Sequence, residues 1–343
     1  MKATYAGAGV DLEAANAITG RLKEIVAGAR TSGTLADVGA FGGMFALDGW
    51  AGLEQPVLVA SADGVGTKVK IAAELGTLGT LGVDLVNHCV NDIAVQGARP
   101  LFFLDYLAMH RTDPDQVAAI VGGVAAACRE AGIALLGGET AEMPSVYPPG
   151  EFDLAGFVVG ILDRSEIGRN GEPEAGDVLL GLPSTGLHTN GYSLARRVLP
   201  PETWGRRDPA LGGRTVGEAL MVPHRSYLPQ IAALRAAGGR AFAHITGGGF
   251  PDNVARVLPD GVAAEIDLDT WQPPPIFRLL AAAGPIGREE MCRVFNMGIG
   301  LVAVVPATAV EAAREAVPEA VVIGRVTERD GPAVRLVGGE TWA

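Results

Sequence analysis

Apolar positions recur along this chain with two periods, and the places where the period changes mark its elements. Leu12, Ala15, Ile18, Leu22 and Ile25/Val26 repeat at helical spacing behind Asp11, a residue suited to an N-cap, and predict an amphipathic helix over roughly 11–29. Gly39–Gly43, with Phe41 inside, is a loop entering a short apolar segment. Val57–Ala60 is apolar and β-branched and reads as a buried strand. Residues 82–97 return to the helical period. Val86, Val90, Ile93 and Gly97 share one side; Asp84, His88 and Asp92 stand at i, i+4 and i+8 on the other, beside Asn87 and Asn91. Leu101–Leu107, Ile133–Leu136 and Phe152–Leu162 predict further strands, and Pro114–Ala131 a helix.

A polar stretch from Asp163 to Asp177, with Gly168, Asn170, Gly171, Pro173 and Gly176, is the best candidate linker. Beyond it, Val178–Leu182, Leu301–Val305 and Val321–Val326 read as strands. Val222–Ala237 (with Pro229 as a kink), Pro273–Ala283 and Ala307–Ala316 read as helices. The alternation points to a mixed α/β layer architecture.

Several junctions share one design, a strand followed by glycines and polar groups. After Val57–Ala60 come Asp63, Gly64, Gly66, Thr67 and Lys68. A carboxylate, bare backbone N–H groups and a lysine in six residues suit a metal-bound polyphosphate; the alternative is a glycine turn with a chance charge on each side. The strand at 133–136 feeds Gly137, Gly138 and Glu139. The strand at 178–182 leads to a loop with His188, Thr189, Asn190 and Gly191, which can hold phosphate at a helix N-terminus. His244 precedes Gly247, Gly248 and Gly249 in the same way. The polar face of 82–97 carries no lysine or arginine, so a cation between it and the Asp63 loop competes with a plain solvated face. His88 alone reads as a hydrogen-bonded helix residue, and Lys23 on spacing alone as a solvated one.

Composition narrows the classes. The 343 residues suggest two domains, and 48% hydrophobic with 19% charged residues is enough for a sizeable core. A net charge of −12 with no basic stripe argues against nucleic acid and makes a divalent cation the natural neutraliser of phosphate. Cys89, Cys128 and Cys292 are far apart, which fits a reduced compartment and excludes a C-x-x-C site. No apolar run is long enough to span a bilayer, and a cytoplasmic protein is expected. P-loop, dinucleotide-fingerprint and zincin motifs are absent, so any nucleotide would be held by other means.

Seven motifs occur in one order: Ala8–Asp11, Asp63–Lys68, the Val-Asn-Asp within Gly82–Ala98, Leu101–Asp105, Gly137–Pro144, Leu187–Ser193 and His244–Gly249. Together they resemble the phosphoribosylformylglycinamidine cyclo-ligase (aminoimidazole ribonucleotide synthetase) family, from about residue 5 to 330. Single motifs are shared with formylglycinamidine ribonucleotide synthetase, selenophosphate synthetase, thiamine-phosphate kinase and a hydrogenase maturation protein. One departure is His224-Arg225, where the resemblance leads one to expect Thr-Arg; it puts a peripheral contact in doubt.

The resemblance implies a two-domain α/β (α+β) fold. Residues 1–165 would bind ATP and form a homodimer whose paired sheets close a β-barrel, and 166–343 would bind a ribonucleotide substrate. It implies ATP-dependent closure of formylglycinamidine ribonucleotide to aminoimidazole ribonucleotide, with Mg²⁺ on Asp63 and Asp92 and Asp84 as a weaker third ligand. Lys68 and Lys23 would bind phosphates. Gly64, Gly66, Thr67, Asn91, Gly137, Gly138 and Glu139 would contact nucleotide. His188 and His244 would act at the reacting centre, with Thr189, Asn190, Gly191 and Gly247–Gly249 on the substrate. The competing expectations are another ATP-dependent enzyme of the superfamily or a non-catalytic nucleotide-binding regulator. Selenophosphate synthesis is disfavoured because the first cysteine is Cys89.

Overall fold

A computed structural model describes residues 12–36 and 42–342, with side chains from Ile18 onward except Thr341. Asp11 and its motif, and Gly39–Phe41, lie outside the described residues. The chain divides into two compact units, Met1–Ile93 with Ala98–Asp163, and Ala94–Gly97 with Arg164–Ala343.

The first unit contains α1 (Leu12–Ala27), β1 (Pro56–Gly64), α2 (Lys68–Leu75), α3 (Gly79–Ala94), β2 (Arg99–Met109), α4 (Pro114–Ala131), β3 (Ala134–Glu142) and β4 (Phe152–Asp163). Its sheet runs β1-β4-β2-β3, antiparallel except for the parallel β2–β3 pair. The parallel pair needs a crossover, which α4 supplies. Asp113 caps α4, its Oδ1 accepting from the backbone N–H groups of Asp115 and Gln116 at 2.9 and 3.1 Å. Gly132 ends it in the left-handed conformation, φ 70°. Leu101, Phe103, Leu107, Leu154 and Val158 point to the buried face of the sheet, under α3 and α4. The other face is more open: Leu58 is 62% and Phe157 44% exposed.

Two boundaries differ from expectation. β1 and β3 run on through their glycines, so Asp63, Gly64, Gly137, Gly138 and Glu139 lie in strands rather than loops. At Gly138 the reason is steric. It pairs with Asp105 across β2–β3, and a Cβ there would collide with the Asp105 carboxylate and carbonyl. Glycine weakens a strand unless a close approach requires it.

The second unit contains β5 (Val178–Pro183), α5 (Tyr192–Val198), α6 (Val216–Leu220), α7 (Leu228–Ala236), β6 (Ala241–His244), α8 (Gly249–Ala255) and β7 (Val262–Asp267). After these come α9 (Pro275–Ala283), α10 (Arg288–Val294), β8 (Ile299–Val305), α11 (Val310–Ala316), β9 (Val321–Glu328) and β10 (Val334–Val337). The six-stranded sheet runs β10-β7-β9-β5-β8-β6, with β10–β7 its parallel pair. β8, buried along its whole length, is the interior strand that the apolar run predicts. The helix expected over 222–237 starts only at Leu228, because Pro229 occupies its first turn, where a missing N–H costs nothing. The polar stretch after Asp163 is tied down: Asn170 Nδ2 donates to the carbonyls of Arg235 and Gly239 at 2.8 and 2.9 Å.

Candidate functional site

In the first unit, the polar face of 82–97, for which a cation site competes with a solvated face, is buried. Asp84, His88 and Asn91 are at most 3% exposed and Asn87 9%, and only Asp92 at the helix end stays partly open. Burying so many polar groups on one helix is costly unless each is paired.

The pairing splits the face in two. Asp84 receives Lys68, whose Nζ is 2.9 Å from Oδ1 and 2.8 Å from Oδ2, with both side chains fully enclosed. Burial pushes the Lys68 ammonium down from its ordinary value, and the Asp84 charge and hydrogen bond resist that. The sequence offers Lys68 to phosphate and Asp84 to metal; the fold binds them to each other. Thr67 precedes α2 as its N-cap without a side-chain cap bond.

One turn further along α3, His88 Nε2 lies 2.9 Å from Asp63 Oδ2 and 3.7 Å from Asp92 Oδ2. Ser61 Oγ donates to Asp92 Oδ2 at 3.3 Å, and Gly64 N–H to Asp63 Oδ1 at 2.7 Å. Burial would push His88 down, but the hydrogen bond to Asp63 and the charges of Asp92, Asp63 and Asp84 outweigh it, so the imidazole sits above its ordinary value. Asp63 and Asp92 keep 44% and 27% of their side chains exposed. Both carboxylates face His88 Nε2, and their exposed oxygens are hard donors of the kind that a cation of the Mg²⁺ type takes. Lys23 is exposed on α1 and lines a cavity of about 140 Å³ with Arg30 and with Leu136, the residue before Gly137.

In the second unit the loop after β5 and the loop after β6 meet. A Cβ on Gly247 would stand 3.5 Å from Asn190 Oδ1. Asn253 holds the second loop, its Nδ2 donating to the carbonyls of Thr246, Gly247 and Gly249 at 3.2, 3.2 and 2.8 Å. Gly248 and Gly249 have φ 92° and 57°, and a Cβ on Gly249 would strike the Cys292 carbonyl, so glycine is required there. His188 takes a left-handed φ of 61° without being glycine, a strained conformation concentrated at functional loops. Thr185 N–H donates to its Nε2 at 3.2 Å. Gly191, Thr189 and His188 enter α5 together, with Tyr192 OH donating to the Leu220 carbonyl.

Sequence reasoning misplaced one residue here. His224 is not peripheral: its ring stacks on His188 with centroids 4.0 Å apart, and its Nε2 is 3.1 Å from His244 Nε2. The departure from Thr at that position was the available signal. Asp105, the last residue of the Leu101–Asp105 motif, has no role assigned from sequence. It is 7% exposed, and burial raises its carboxyl to about 7 against a small opposing pull from its own backbone N–H.

Comparison with known proteins places both units. Residues 50–162 match the family described as AIR synthase related protein, N-terminal domain, and residues 174–337 match its C-terminal domain. Among solved structures, thiamine-monophosphate kinase from Stenotrophomonas maltophilia K279a superposes with a TM-score of 0.65 at 21% identity, over 94% of this chain and 96% of that one. E. coli HypE, a hydrogenase maturation protein, gives 0.65 at 20% identity, over 95% and 94%. A HypE in complex with ATP gives 0.65 at 16% identity, over 92% and 90%. Among the described residues no helix is long and apolar enough to cross a membrane.

Proposed function

We propose, from the premise that the chain belongs to the AIR synthase-related superfamily, that it uses ATP to close formylglycinamidine ribonucleotide into aminoimidazole ribonucleotide. The observation that carries this reading is the ordered set of seven motifs, which pairs an acidic Asp63–Asp92 constellation with two Gly/Thr/Asn/His loops. A kinase acting on a simple alcohol has no need of the second set. A ligase that activates one part of a ribonucleotide for attack by another part does.

An amide oxygen leaves poorly, and phosphorylating the formyl oxygen makes it a good leaving group. The amidine-side nitrogen then attacks that carbon, the ring closes and phosphate departs. Phosphoryl transfer is largely positioning and charge neutralisation. Asp63 and Asp92 would hold Mg²⁺, which supplies neutralisation of phosphate charge when bound. His88, held between those carboxylates, fixes their direction. Lys23, which lines a cavity with Arg30 and Leu136, would meet phosphate, and Lys68 would act through Asp84 on the position of α3. Asn91, Gly137, Gly138 and Glu139 would contact nucleotide. His188, Thr189, Asn190 and Gly191, with His244 and Gly247–Gly249, would bind the ribonucleotide and polarise its formyl group.

The protein given formylglycinamidine ribonucleotide, ATP and Mg²⁺ should release one ADP and one phosphate per imidazole ribonucleotide. ¹⁸O in the formyl oxygen should appear in the phosphate. Ring closure without ATP, or label left in water, removes the mechanism. Turnover of thiamine monophosphate instead would support a kinase reading.

A further inference from the structure

His188, His224 and His244 come from three elements: the loop after β5, the segment before α7, and the last residue of β6. All three are buried, at 0%, 1% and 5% exposure. Each offers a ring nitrogen within 4.8 Å of the other two. The Nε2 atoms of His224 and His244 are 3.1 Å apart. Two ligands of a tetrahedral ion with bonds of 2.0–2.1 Å stand about 3.3 Å apart, so this pair is already near ligand spacing.

The surrounding contacts favour the ligating tautomer at His188 and His224, while His244, whose Nε2–H then donates to His224 Nε2, must release that proton to ligate. Thr185 N–H donates to His188 Nε2, which makes Nε2 the lone-pair nitrogen and leaves the proton on Nδ1. Thr189 Oγ1 is 3.3 Å from His224 Nδ1, so an Nδ1–H donated to that hydroxyl turns the His224 Nε2 lone pair toward His244. An outer N–H held by a protein oxygen while the inner nitrogen ligates is the usual support of a metal-bound imidazole. The cost of closure is defined: the His188 ring must turn off the face of His224, where it lies at an interplanar angle of 17°, and release Thr185.

We propose that this cluster is a binding site for a borderline divalent transition-metal ion of the Zn²⁺ or Co²⁺ class. Three neutral imidazoles select against Mg²⁺ and Ca²⁺, which take oxygen ligands, and suit zinc, cobalt, nickel or copper. The donor set differs from the Asp63–Asp92 carboxylates, and an ion held here would take the ring nitrogens of His188 and His244 that the reading above gives to the ribonucleotide.

Titration of the full chain with Co²⁺ tests it. One equivalent should bind with the intense visible ligand-field bands of a four-coordinate ion, and Zn²⁺ should displace it. His224→Thr, checked for fold by circular dichroism, should weaken binding ~100-fold or more, since even an outer-shell partner is worth 10–100-fold. Asp63→Asn should leave the bands in place. X-ray absorption of the wild-type zinc form should show imidazole scattering, a readout independent of any variant. No Co²⁺ binding, equal binding by His224→Thr, or an oxygen-only shell overturns the site.

Discussion

Lys68 Nζ and Asp84 Oδ2 lie 2.8 Å apart with neither side chain exposed, which joins the start of α2 to the first half of α3 by a fully enclosed ion pair. Desolvation of two ions is not returned by their attraction alone, so such a pair adds little net stability, yet breaking it strands a buried charge.

Lys68→Met and Asp84→Asn should therefore each lose about 3–5 kcal/mol in denaturant unfolding. The Lys68→Met/Asp84→Asn double variant should lose much less than the sum. Additive losses in the cycle would show that the two residues act separately, as independent ligands would.

The raised pKa of His88 gives a second expectation. A cationic His88 held by Asp63 and Asp92 contributes stability fully below its ordinary value of 6.5, and that contribution disappears as pH rises through the raised folded value. Asp63→Asn removes the hydrogen-bonding charge, so the His88 titration followed by NMR should move to lower pH. The same variant should lose ATP turnover by several kcal/mol of barrier if Asp63 holds the metal. An unmoved titration removes the Asp63–His88 contact.

Much of this was legible in the sequence, for identifiable reasons. α4 was found to its ends because Pro114 and Gly132 punctuate a long apolar period. α2, α6, α10, β7 and β10 are not foreseen: α6 and β10 have only five and four residues, and the alternation in β7 is blurred by the adjacent buried Ala263 and Ala264. The polar face of α3 leaves a cation site and a solvated face both open, because periodicity reports polarity, not burial. Asp84 is as polar in the sequence as Asp92, and only the fold distinguishes the enclosed carboxylate from the open one. His224 lies twenty residues from His244, so no local spacing reveals their contact.

Asp105 should make stability fall with pH. Its folded pKa of about 7 exceeds the unfolded value of 3.8, so the folded state binds the extra proton between those limits. Its contribution is therefore greatest below about pH 4 and declines up to about pH 7. Asp105→Asn, neutral and near-isosteric, should gain on wild type across that window, by on the order of 4 kcal/mol at 1.36 kcal/mol per unit. A gap in melting temperature that stays constant from pH 4 to pH 8 would be evidence against a buried, proton-binding carboxylate.

The last expectation concerns the open face of the first sheet. Exposed positions alternate along β1 at Pro56, Leu58, Ala60 and Ala62, and on β4 Phe157 stands opposite Ala62. Phe102, Leu104 and Tyr106 on β2 are also only half-buried and share this face, since Leu104 pairs with Phe157. The sheet is thus apolar on both faces but covered by helices on one. An apolar sheet face left to water is a common mark of association. A second copy of the same face is the occupant that the family resemblance implies, and it needs no other partner. Leu58 and Phe157 make no packing contribution to the helix-covered core at 62% and 44% exposure, so a charge there tests association rather than folding. Leu58→Lys/Phe157→Glu should therefore keep the wild-type circular dichroism yet shift the mass measured by light scattering from dimer to monomer. A fully active wild-type monomer at micromolar concentration would remove the dimer and leave this face to another partner.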